Sequence, residues 1–337
     1  MRPCPSTADS PDPAPASTHG AEKQPAGTGI ALVLGCYTLW GAFPLYFRLL
    51  SEAGSVEIIG HRIVWTLATC LVLVAARRRW GRLRRVLRTP HLLGALAASG
   101  LLISINWLIY VYGVNTARTA DAALGYFINP LVTVALASLV LRERLRPVHR
   151  VSIVLASAAV TLLVALQGSL PWISLALAFS FALYGLVKKR IGPDVDALTG
   201  LTVESAVVAP VALAHLSYLA WQGQSVWQAP DQGWRIMVLL VVAGPVTAVP
   251  LLLFAAGTRR VPLSVVGMSQ YIAPITQFLL AWAIFHEQIP PARWAAMMLV
   301  WAAVAVFIGD AVHQFLHHPR PRPAGRSGSR IAPGADQ

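Results

Sequence analysis

The chain has 337 residues, of which 56% are hydrophobic and only 12% charged, and its mean hydropathy is +0.60. A soluble globular protein carries roughly 25% charged residues, so this composition cannot cover a water-soluble fold and excludes a soluble enzyme. The formal net charge of +13 would suggest nucleic acid in a soluble protein, but here the basic residues sit in short segments between apolar spans. That is the pattern of topology signals and anionic headgroups, so the expected partner is the lipid bilayer and not nucleic acid.

In chain order, residues 1–28 are rich in Pro, Ser and Ala with no apolar run. They are expected to form a disordered cytoplasmic tail, with no secretory signal. Apolar stretches of about 18 or more residues then recur, the length that crosses hydrocarbon as helix. They predict spans at 29–49, 58–76, 92–114, 121–141, 148–166, 170–188, 199–220, 235–257, 262–285 and 292–312. Residues 313–337 form a second polar tail, whose His317 and His318 are read as solvated and not as metal ligands. Cys4, Cys36 and Cys70 show neither metal spacing nor a disulfide framework. No metal or other cofactor is expected.

Loop charges set the orientation, because cytoplasmic loops collect Lys and Arg. The second loop carries Arg77, Arg78, Arg79, Arg82, Arg84, Arg85 and Arg88; the fourth has Arg142, Arg144 and Arg146. The sixth has Lys188, Lys189 and Arg190, and the eighth Arg259 and Arg260. Odd loops are nearly bare of positive charge, Arg118 excepted. Ten spans with both termini cytoplasmic satisfy the pattern; nine or eleven would break it.

The chain also matches itself at an offset of 144 residues. Phe127, Ile128 and Pro130 fall on Tyr271, Ile272 and Pro274; Glu143 falls on Glu287, Pro147 on Pro291 and Gly113 on Gly257. Five spans make one unit, giving halves at 29–166 and 170–312. Because five is odd, the second half enters from the opposite side. The Arg-packed second loop accordingly corresponds to 221–234, which carries no Lys or Arg. The predicted fold is an all-α polytopic membrane protein with ten helices as two inverted repeats, an architecture suited to alternating access about a midplane site.

Candidate site residues are the polar groups at depth. Pro130 and Pro274 each remove an N–H and release a carbonyl in spans four and nine. Each is a wet-cavity break or a packing kink. Asn106, Trp107, Tyr110, Tyr126, Asn129, Gln270, Tyr271 and Gln277 supply amides and aromatic rings for a small polar substrate; interhelical hydrogen bonding is the alternative for the amides. Burying an ionisable group costs at least ~2.5–3.5 kcal/mol, which singles out His61, Arg62 and Glu204. Glu204 suits a proton carrier or a counter-charge to a cationic substrate, and Arg62 suits a carboxylate; snorkelling to the interface competes with both. Glu143 and Glu287 fall at helix C-terminal ends, where the macrodipole disfavours an acid. They are expected to act in structure or gating through local pairs, Glu143 with its flanking arginines and Glu287 with Arg293. No catalytic set is apparent: G-x-S-x-G, H-E-x-x-H and facing carboxylate pairs are all absent from the sequence.

The stretches LWGAFPLYF, EIIGHRIVW, INWLIYVYGVN, LGYFINPLV followed by RER, and LAFSFALYGLVKK resemble the EamA-type RarD proteins of the drug/metabolite transporter superfamily over roughly residues 30–312. The resemblance implies a ten-helix inverted-repeat permease of the bacterial inner membrane. It also implies that helices one to four and six to nine line a central cavity, with five and ten outside it and able to support a homodimer. Members are linked by name to chloramphenicol sensitivity. The function expected is therefore secondary transport of a small-molecule metabolite or drug, driven by a proton or substrate gradient, and not an enzyme. An intramembrane enzyme and a lipid-handling membrane protein are the competing classes. The chain has no Walker motif, so it does not hydrolyse ATP by itself.

Overall fold

A computed structural model describes residues 26–141, 147–191, 195–228, 233–258, 260–261, 265–266 and 269–317. Most of both expected tails, Glu143 with its flanking arginines, and Arg259 lie outside the described residues, which contain helices and turns and no strand.

The helices are α1 (Ala26–Arg48), α2 (Ser55–Ala76), α3 (Trp80–Leu87), α4 (Pro90–Asn115), α5 (Thr119–Leu141), α6 (Pro147–Gln167), α7 (Trp172–Ile191), α8 (Ala197–Trp221), α9 (Gly233–Thr258), α10 (Ile272–Leu279) and α11 (Pro291–His317). A π-helical turn, Leu280–Ile284, continues α10. Seven helices are long and apolar enough to cross a membrane, and three shorter apolar ones fall at Arg150–Leu166, Trp172–Lys188 and Ile272–Ile284. The chain is thus a multi-pass membrane protein. Large apolar side chains remain exposed around the bundle, among them Val72, Val211 and Met298, as expected where the outer solvent is lipid.

The short α3, WGRLRRVL, differs in kind: it packs Leu83 and Val86 onto the bundle beside Cys70, Val74 and Leu96 and turns its arginines outward. Beside it, Asp196 caps α8, accepting from the Thr199 N–H at 3.2 Å. Arg79 and Arg82 reach it at 3.2 and 3.4 Å. Burial raises this carboxyl's pKa, but the Thr199 hydrogen bonds and the two guanidiniums outweigh burial and hold it below its ordinary value. The α2–α3 turn is thereby tied to the start of α8.

The principal packings follow a rule. A shift of 144 residues carries α1, α2, α4, α5 and α6 onto α7, α8, α9, α10 and α11. Under that exchange α5 on α7 becomes α10 on α1, α4 on α7 becomes α9 on α1, and α2 on α9 becomes α8 on α4; all six packings are present. The remaining principal pairs, α2–α8, α5–α10 and α6–α11, each join a helix to its own counterpart. The α6–α11 seam is built from small residues, Ala156 and Ala159 on one side and Ala296 and Ala303 on the other, which let helices approach where lipid supplies no hydrophobic drive.

Two glycines related by the same shift sit at close helix crossings. A Cβ on Gly100 would lie 2.8 Å from the Glu204 carbonyl oxygen of α8, and one on Gly244 would strike the Trp65 carbonyl of α2. Overpacking of this kind costs about 1–3 kcal/mol. Gly100→Ala and Gly244→Ala should each lower the melting temperature of the detergent-purified protein. Gly35→Ala, where the added methyl meets nothing within 4 Å, should leave it unchanged, and equal damage at all three positions would refute the crossing argument.

Candidate functional site

The polar residues at depth fall into three groups along the packed faces of α1, α2, α4, α5, α7, α8 and α9. The first centres on Arg62, in the second turn of α2 and only 3% exposed, so it does not snorkel. Its Nε donates to Thr247 Oγ1 of α9 at 2.9 Å. Its guanidinium carbon lies 4.0 Å from the Trp107 ring centroid, 5.4 Å from Phe47 and 5.7 Å from Phe43. Aromatic faces attract a desolvated cation by about 2 kcal/mol or more, which offsets burial without neutralising the charge. Nη1 is buried with no hydrogen-bond partner, and among the described residues no carboxylate reaches ion-pair distance of Arg62.

The second group continues from that cage. Tyr110 packs edge-on against Phe47 with centroids 6.0 Å apart, and Tyr126 lies 5.7 Å from Tyr110. Tyr126 OH donates to Asn106 Oδ1 at 3.1 Å, and Asn106 Nδ2 donates to the Leu177 carbonyl and to Ser180 Oγ at 3.0 and 2.9 Å. Asn106 therefore ties α4 to α5 and α7 with its amide satisfied. That is interhelical bonding and not a free substrate contact. Tyr110 OH, by contrast, is buried without a partner.

The third group surrounds Glu204 on α8, 2% exposed. It accepts from Ser99 Oγ of α4 and from Lys188 Nζ of α7, the latter at 2.8 Å. Lys188, counted from sequence as a loop charge, is in fact the counter-ion of the buried acid. A matched depth in neighbouring spans is the signal that could have paired them. A narrow cleft beside Glu204 is lined by Ile63, Ile103, Ser104, Trp107, Leu201 and Ser205. Trp107 belongs to both the cleft and the Arg62 cage, so one indole stands between the two charges. Under the 144-residue shift Arg62 falls on Ala206 and Glu204 on Gly60, so the two deep charges are not counterparts.

The α5–α10 region holds the rest. Phe127 and Tyr271, counterparts in the repeat, stack on each other with centroids 6.4 Å apart and planes at 21°. Gln277 Nε2 donates to the Trp40 carbonyl at 3.1 Å, while Gln277 Oε1 and Tyr271 OH are buried without partners. Asn129 is buried and accepts a long 3.4 Å bond from Thr133 Oγ1; Gln270 is half-buried. Neither touches the Arg62 or Glu204 groups. Pro130 sits inside the continuous α5. Pro274 lies in the first turn of α10, after a break at Gln270–Tyr271. A proline clashes with the carbonyl four residues earlier, here that of Gln270, which accounts for the break there.

Two contacts at the bundle ends were not apparent from sequence. Glu287 does not pair with Arg293: its two carboxylate oxygens accept from the Thr119 and Ala120 N–H groups at 3.0 and 3.1 Å, capping α5. A helix N-terminus supplies free donors and positive potential, so it outcompetes a lone guanidinium. Arg293 instead joins Arg118 on the buried Asp121, at 3.1 and 2.9 Å, which explains the one basic residue in an otherwise bare loop. At the same end, Glu57 accepts from Ser225 Oγ and Val226 N at 2.8 and 3.0 Å. His61, 7% exposed, stacks on Trp227 at 4.8 Å.

The sequence matches the EamA-like transporter family twice, over residues 27–165 and 170–309. It is 44% identical over 308 residues to Protein RarD of Streptomyces exfoliatus, covering 91% of this chain and 94% of that protein. An uncharacterized transporter of Pseudomonas aeruginosa is 41% identical over 296 residues, covering 87% of this chain and 97% of its own length. A crystal structure of 19% sequence identity shares the fold with a TM-score of 0.57, over 85% of this chain and 99% of that one.

Removing one partner of a buried ion pair strands the other. Lys188→Met should therefore destabilise the protein, toward the lower end of the ~3–5 kcal/mol such losses cost, because the Lys188 side chain is 31% exposed. The double variant Lys188→Met/Glu204→Gln should recover most of the melting temperature in detergent. A double variant no better than the single one would show that the pair is not the stabilising unit.

Proposed function

The chain belongs to the EamA-like transporter family, among its RarD-type members, and from that premise we propose a secondary transporter working by alternating access. It moves a small metabolite or drug between two inverted five-helix halves. The observation that carries this reading is the packing scheme, which maps onto itself when the halves are exchanged. The Phe127–Tyr271 stack of counterpart residues supports the same exchange, as do the paired crossings at Gly100 and Gly244. The relatives named as transporters speak for transport over catalysis.

In this reading ten helices cross the cell membrane with both termini cytoplasmic, the long helices and the three shorter apolar ones together making the count. The end that joins Glu57 to Ser225 and His61 to Trp227 faces outward. The end that joins Arg79 and Arg82 to Asp196 faces the cytoplasm. Each set of contacts forms one closure, and opening one while the other holds exposes the midplane charges to a single side. Glu204 is the coupling group, exchanging Lys188 for a proton as its surroundings hydrate. The α6–α11 layer, outside the polar groups, faces lipid or a second copy.

The test uses a variant lacking native cysteines with Ser205→Cys in the Glu204 cleft, probed by a membrane-impermeant maleimide from either side. Cross-linking Glu57→Cys to Ser225→Cys should abolish labelling from outside and keep it from inside. Cross-linking Arg79→Cys to Asp196→Cys should do the reverse. Labelling that ignores both cross-links would sink the alternating-access reading.

A further inference from the structure

We propose that the Arg62 cage is the substrate site and that its ligand is a small organic anion, a carboxylate on an apolar or aromatic body. The inference rests on the transport reading above and adds its cargo class.

The cage holds two buried donors with nothing to bond. Arg62 Nη1 and Tyr110 OH both lack a partner, and they flank the same ring: Arg62 lies over Phe47 at 5.4 Å, and Tyr110 packs edge-on to Phe47 at 6.0 Å. Nearly all buried polar groups in folded proteins are paired, so two unpaired donors beside one ring call for an acceptor. The neighbouring groups are already committed. Thr247 accepts from Arg62 Nε, Tyr46 OH donates to the Leu239 carbonyl at 2.6 Å, and Tyr126 OH donates to Asn106.

The charge selects the ligand. A guanidinium in a low-dielectric site without an internal carboxylate attracts an anion, and its planar fork matches a carboxylate's geometry. A cation would face uncompensated repulsion there. The walls select the remainder of the ligand, since Trp107, Phe43 and Phe47 offer ring faces and no further hydrogen-bonding group toward the guanidinium. The entrance lies one residue away. His61 stacks on Trp227, and Glu57 holds the adjoining turn through Ser225 and Val226, so lifting residues 225–228 opens the way to Arg62. Glu204, already neutralised by Lys188, takes no part in this contact.

The probes are benzoate, phenylacetate and cyclohexanecarboxylate, each measured against its own neutral amide by thermal shift of the full chain in detergent. At least one carboxylate should stabilise the protein saturably, with its amide at least about ten-fold weaker. Arg62→Gln should remove the effect. Tyr110→Phe, which deletes one oxygen and keeps the ring, should weaken the response about ten-fold, the worth of one hydrogen bond to a charged partner. The idea is overturned if none of the three carboxylates shifts the melting, or if amides match them. It is equally overturned if Tyr110→Phe and a monodisperse Arg62→Gln protein respond like the parent; should Arg62→Gln not fold, Tyr110→Phe decides. Because binding is read without transport, a failure here leaves the cross-linking result standing, and the converse also holds.

Discussion

A charge inside hydrocarbon has no water to solvate it, so the protein must bring another helix close enough to do so. Both deep charges are met this way, and in both cases a glycine makes the approach possible. Gly100 lets α4 press against the Glu204 backbone, and the adjacent Ser99 then reaches the Glu204 carboxylate. Gly244 lets α9 press against α2 at Trp65, and Thr247, one turn along, then holds Arg62 Nε. The two crossing glycines are counterparts under the 144-residue shift, whereas the charges they serve are not, since Glu204 falls on Gly60 and Arg62 on Ala206. Close crossing and solvated charge are one constraint, met at two different registers.

The all-helical membrane class and the family were legible in the sequence because each is written over many residues. Apolar length and loop charge are averages, and averages survive local error. The individual partners were not legible, because pairing depends on depth and rotation that no single span reveals. Lys188 looked like a topology signal because it ends an apolar stretch, and only the proximity of α7 to α8 makes it the partner of Glu204. Glu287 was misassigned for a different reason. Proximity in sequence suggested Arg293, but the π turn at Leu280–Ile284 and the left-handed His286, at φ +52°, carry Glu287 across to the start of α5. The amides divided: Asn106 proved to be an interhelical clamp, whereas Gln277 and Tyr271 retain unpaired atoms that composition alone could not distinguish.

The backbone symmetry does not extend to the charges, and this difference matters for how such a bundle works. Under the 144-residue shift Arg62 of α2 falls on Ala206 of α8, and Glu204 of α8 on Gly60 of α2. One charge is held by ring faces and a hydroxyl, the other by an ion pair. A perfectly symmetric pair of halves would offer a ligand identical surroundings from both sides. Opposite charges at positions that are not counterparts give the two halves different chemistry.

The two ends of the bundle differ in the same sense. At the α2 N-terminal end the closing contacts are a carboxylate on a hydroxyl and an N–H, and a histidine–tryptophan stack. At the α2 C-terminal end they are ionic, Asp196 with Arg79 and Arg82. A bundle that alternates must keep its two closures within a few kcal/mol of each other, since a larger gap would leave one state unpopulated. Partly exposed ion pairs are worth about 0–1 kcal/mol each, and a hydrogen bond to a charged group contributes about 1.5–3 kcal/mol. The unlike contacts at the two ends therefore lie within a few kcal/mol of each other.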